Sequence, residues 1–78
     1  MKIYWTGSSK NLIGQKVKEL RKKNGWTQKK LAEKMQLEGF EMSDLTILRI
    51  EQGKRFVPDY EVVALSEVLG VSLDELFM

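Results

Sequence analysis

Seventy-eight residues, 42% of them hydrophobic, make one small domain, near the size at which a single core only just suffices. With no cysteine and no histidine, disulfides and cysteine metal sites are excluded, along with the commonest metal ligand and general base. Thirteen Lys and Arg against eleven acids leave a net charge of +2, but residues 1–34 hold ten bases against two acids and residues 35–78 three against nine.

In chain order, residues 1–10 read as an N-terminal arm and residues 11–78 as the folded domain. In the arm, Ile3, Tyr4 and Trp5 are too apolar for a plain tail, and Gly7-Ser8-Ser9 reads as a hinge. Folding back onto the core, a dimer contact and a DNA-touching arm all remain open there. Lys2-Ile3-Tyr4-Trp5 is too short for the apolar region of a secretory signal, and no run approaches the ~18–20 apolar residues that span a bilayer. A soluble cytoplasmic domain without a membrane partner is expected.

The first helix spans roughly Asn11 to Asn24, with Ile13, Val17 and Leu20 on one face and Gly25 as its stop; Trp26 packs in the corner that follows. Thr27 caps a second helix from about Gln28 to Met35, where Leu31, Ala32 and Met35 form an apolar face. Ala32 is small where a second helix must cross closely. Gln36 to Met42 then form a long connection in which Leu37, Phe40 and Met42 suggest anchoring; Phe40 is expected to pack on the core, the competing reading being an exposed anchor for a partner.

Ser43 caps a third helix, about Asp44 to Gln52, with Ile47 and Ile50 inward, ended by Gly53 and followed at once by Lys54 and Arg55. A fourth begins near Asp59, after Pro58, and buries Val62, Leu65 and Leu69 before Gly70. The fifth opens on a capping box, Ser72-x-x-Glu75, and points Leu76 inward, with Phe77 a further core candidate. No strand, repeat or low-complexity tract is read. The expected fold class is an all-α domain of five short helices around one core.

A supported helix with small polar residues in its first turn and basic residues just past its end suits insertion into the major groove. The pattern Thr27-Gln28-x-x-Leu31-Ala32, then Ile47-x-x-Ile50-Glu51-x-Gly53-Lys54, resembles the phage-repressor-like (Xre/Cro-type) helix-turn-helix family. The likeness extends upstream through Ile13-Gly14-x-x-Val17-x-x-Leu20-Arg21 and downstream through Leu69-Gly70-Val71-Ser72-Leu73-Asp74-Glu75-Leu76, covering residues 11–77. The connection from Gln36 to Met42 is longer than the family norm and resembles a sub-group with a lengthened turn, which leaves the angle between the second and third helices open.

The resemblance implies a compact five-helix, lambda-repressor-like DNA-binding domain. It implies a sequence-specific transcriptional regulator, a prokaryotic or phage repressor, that places its third helix in the major groove of a palindromic operator as a homodimer. Thr27 and Gln28 would then stand at a phosphate, and Lys54 and Arg55 would meet the backbone. Base-facing positions would be Asp44, Leu45 and Arg49, with Leu48 beside them, and Ser43 and Thr46 would be further DNA-binding residues of the same turn. Arg49 matches guanine O6 and N7 bidentately, unless it is an ordinary surface ion pair with Glu41 or Glu51. Asp44 accepts from a cytosine amino group or merely favours the helix N-terminus, and Leu45 and Leu48 touch thymine methyls or belong to an interface. Arg21 and Glu51 would form a structural ion pair across the first and third helices.

Two other classes stand beside this reading. An enzyme is disfavoured by the lack of His, Cys, a phosphate loop and paired carboxylates, with Asp74 and Glu75 explained by the cap; no catalytic residue, metal, cofactor or small-molecule ligand is expected. A protein-interaction module, such as an antitoxin-like partner or a modulator of another regulator, is favoured by the apolar, acid-bearing third helix and opposed by Lys54-Arg55.

Overall fold

The computed structural model describes residues 9–78, so Ile3, Tyr4 and Trp5 lie outside the described residues. Five helices follow in order: α1 Gly14–Lys23, α2 Gln28–Leu37, α3 Asp44–Glu51, α4 Asp59–Leu69 and α5 Leu73–Leu76. No strand occurs among the described residues, and the architecture is the all-α one expected. One core takes Ile13, Val17 and Leu20 from the start of the chain, Leu31, Ala32 and Met35 from α2, and Ile47 and Ile50 from α3. Met42, Ala64, Leu65, Leu69 and Leu76 complete it. Nearly every apolar position at helical spacing is thus used.

α1 starts three residues later than its apolar period suggests, and the reason is a side chain. Asn11 Oδ1 accepts from the Gly14 amide at 2.7 Å, so the residues before Gly14 form a side-chain-closed turn instead of helix. The same amide group donates through Nδ2 to the Ile50 carbonyl at 3.1 Å and the Arg55 carbonyl at 2.9 Å. Asn11 therefore fastens the beginning of α1 to the end of α3 and the loop beyond it.

The connection between α2 and α3 is shorter than the sequence suggests. α2 continues through Gln36 to Leu37 and closes at Gly39, whose φ of 92° allows Phe40 N–H to reach back to the Met35 carbonyl at 3.1 Å. Gln36 Nε2 donates to the Met42 carbonyl at 2.6 Å, and Met42 is buried. Leu37 is no anchor: as the last residue of α2 it points outward, 87% exposed. Phe40 is half-buried on the core and stacks on Tyr60 of α4 with ring centroids 6.0 Å apart.

Phe40 therefore ties the connection to α4. Phe40→Ala should cost about 1–2 kcal/mol, less than a fully buried ring would, because only part of the side chain is covered. In a domain of this size that lowers the melting temperature by roughly 5–10 °C. An unshifted melt would show that the connection is held without it.

Two further expectations are corrected. Phe77 follows α5 and is 53% exposed, since only Leu76 of that short helix reaches the core. Of the reciprocal bonds of a capping box, α5 shows Ser72 Oγ accepting from Glu75 N–H at 3.2 Å. The full box sits instead on α3, with Thr46 in the role expected of Glu or Gln. On α4, Glu61 and Ser66 are buried polar residues that the helical period did not single out.

Candidate nucleic-acid interface

α3 is fixed from behind by a buried polar cluster. Arg21 of α1 donates to the Glu51 carboxylate through Nε at 2.6 Å and Nη2 at 3.1 Å, and through Nη1 to the Trp26 carbonyl at 2.8 Å. Both charged residues are buried, and among the described residues no buried side-chain nitrogen or oxygen lacks a partner. Gln28, at the start of α2, donates its Nε2 to the same carboxylate at 3.1 Å. Its side-chain amide is thereby engaged within the fold. Arg21, Gln28 and Glu51 thus join three helices at one carboxylate. Thr27 is exposed, and its hydroxyl accepts from Lys30 N–H at 3.0 Å, capping α2.

The first turn of α3 is self-contained. Ser43 Oγ accepts from Thr46 N–H at 3.3 Å, while Thr46 Oγ1 accepts from Ser43 N–H at 3.2 Å. Asp44 Oδ1 accepts from Leu45 N–H at 2.9 Å, placing a negative charge at the positive end of the helix. Ser43, Asp44 and Thr46, expected at the DNA, all make hydrogen bonds within this turn. Leu48 is half-buried, whereas Leu45, Arg49 and Gln52 are exposed. Spaced four and then three apart, these three share one strip of α3. The Arg49 side chain makes no hydrogen bond or ion pair with any described residue, so neither Glu41 nor Glu51 holds it.

Past α3, Gly53 adopts φ 73°, and a Cβ there would lie 2.6 Å from Ser9 Oγ. Lys10 N–H donates to the Gly53 carbonyl at 2.7 Å, and the Lys10 ammonium stands 5.7 Å from the centre of the Phe56 ring. Ser9, read from sequence as hinge, is in fact packed against this turn. Lys54 is exposed, and no side-chain bond ties it to the described residues. Arg55 differs. Its Nη1 and Nη2 donate to the two Glu61 oxygens at 2.7 and 3.2 Å, and Nη1 also to the Phe56 carbonyl at 3.2 Å. The hydrogen bond to Glu61 raises the Arg55 pKa above its usual value. The phosphate contact expected of Arg55 meets a guanidinium already neutralised within the fold.

Asn11, Gly14, Gln52 and Glu61 were not singled out as functional positions. Only Gln52 had a usable signal, its place seven residues after Leu45. Asn11 and Glu61 act through partners across the fold, and Gly14 through the closeness of another helix. No helix among the described residues is long and apolar enough to cross a membrane. A family model described as "Helix-turn-helix" matches residues 17–76. No curated protein and no solved structure matches the chain.

Proposed function

The chain belongs to the phage-repressor-like helix-turn-helix family and is a DNA-binding regulator; from that premise we propose that it is a sequence-specific repressor. It acts in the cytoplasm as a homodimer, one α3 in each half of a palindromic operator, and represses by occupying promoter DNA. Its partner is double-stranded DNA, with no small-molecule effector. The observation that carries this reading is Arg49. A cation whose side chain has no partner among the described residues stands on the outer strip of a helix whose other side is locked to α1 and α2. Lys54, just beyond, supplies a backbone contact. The N-terminus of α2 at Thr27 and Gln28 offers amides to a phosphate, with Gln28 acting chiefly through Glu51. Ser43, Asp44 and Thr46 hold the helix, and Arg55 holds the loop.

The exposed Leu45 favours a second reading, a protein-interaction module such as an antitoxin-like partner. Salt titration of binding to a selected duplex separates the two. Arg49→Ala should lose about 1–3 kcal/mol on the preferred site and relax one base position. Lys54→Ala should weaken all sequences alike and flatten the salt slope by about one unit. The double change Arg55→Met with Glu61→Leu, which removes the pair without stranding buried Glu61, should leave that slope unchanged because the pair presents no net charge. Salt-independent binding, or none to any duplex, would favour the interaction module.

A further inference from the structure

We infer that Leu45 reads a thymine 5-methyl group, so that each half-site carries a thymine packed on Leu45 beside the base bound by Arg49. This rests on the DNA-binding reading above and adds the base chemistry that the α3 face selects. Hydrogen-bonded readout needs side-chain donors and acceptors that are free to face the groove. Here the Ser43 and Thr46 hydroxyls bond each other and amides of the same turn, and one Asp44 oxygen accepts from Leu45 N–H. The strip left facing outward begins with Leu45, 48% exposed, four residues before Arg49. On a helix that spacing stacks the two side chains one turn apart. Half-buried Leu48, three residues on, lies on the inner side of the strip.

The occupant of this apolar spot follows from its neighbours. Arg49 and Lys54 both present charge that no described residue neutralises, which suits a polyanion better than an apolar protein face. Within a major groove the apolar group on offer is the thymine C5-methyl, which stands beside the O4 acceptor, whereas the other bases present donors and acceptors with no methyl. Leu45 therefore selects thymine by burying its methyl and rejects cytosine, whose amino group would lose water without a partner.

Replacing thymine by uracil removes the methyl and nothing else, which makes the test direct. A preferred duplex is first selected from random DNA, and each of its thymines is then changed to uracil in turn. One thymine per half-site should cost roughly three- to fivefold in affinity, about the value of one buried methyl. With Leu45→Ala the same change should cost nothing, and a melt of the variant should match the native one because Leu45 contributes no cap and little burial. If the selected duplex binds but no uracil change matters, Leu45 reads no methyl while the DNA-binding reading stands. A uracil penalty that persists in Leu45→Ala assigns the methyl to another residue and overturns the inference. Should no duplex be preferred over random DNA, the inference and the repressor reading fall together.

Discussion

Glu51→Leu should cost about 3–5 kcal/mol of folding stability, because it strands a buried guanidinium. Arg21 is 7% exposed and Glu51 8%, so water cannot take the place of the lost carboxylate. Arg21 would keep only its bond to the Trp26 carbonyl, and Gln28 would lose its acceptor. Domains of this kind hold only about 5–15 kcal/mol in total, so the single mutant should sit near its unfolding midpoint at modest temperature. Arg21→Met should fall nearly as far. The double mutant, with two apolar side chains facing each other, should recover much of the loss, since an apolar pair of similar volume often matches a buried ion pair. Thermal melts of all three give the coupling directly; small additive losses would mean that the pair does no structural work. The double mutant also tests DNA binding: a stable but weakly binding variant would show that the carboxylate fixes the pose of α3.

Gly14→Ala should destabilise the domain by about 2–3 kcal/mol, even though alanine is favoured over glycine inside a helix by about 1 kcal/mol. The sign is decided by the neighbour. A methyl at Gly14 would overlap the Ile50 carbonyl oxygen and stand 3.2 Å from that of Glu51. Both are backbone atoms of α3, so relief requires moving a helix. That movement would also pull Asn11 away from the Ile50 and Arg55 carbonyls. Urea unfolding measures the loss, and a stability equal to or above native would contradict so close a packing of α1 on α3.

The helices and their inward faces were legible in the sequence because their determinants are local. Val17 and Leu20, Leu31 and Met35, and Ile47 and Ile50 repeat at helical spacing, and Thr27, Ser43 and Gly53 mark ends by their own chemistry. What escaped the sequence depends on distance. The partners of Asn11 lie 39 and 44 residues away, and Arg55 meets Glu61 across a loop and the start of a helix. Phe77 continues an apolar period just where the helix has run out of core to face, and Leu37 falls on the polar face of an α2 that runs further than its apolar period. For the candidate site the difficulty is chemical: Ser43, Asp44 and Thr46 suit both capping a helix and touching a base, and composition does not separate the two. In the structure all three bond within the first turn of α3, and Leu45, Arg49 and Gln52 form an exposed strip beside them.

The closed first turn of α3 has a consequence for how such a protein can change. Because the cap is satisfied without Leu45, Arg49 or Gln52, those positions carry little of the cost of folding. A lineage could exchange one operator for another by substitutions at three surface positions while the scaffold stays intact, and a library randomised at the same three would sample new specificities among mostly folded members.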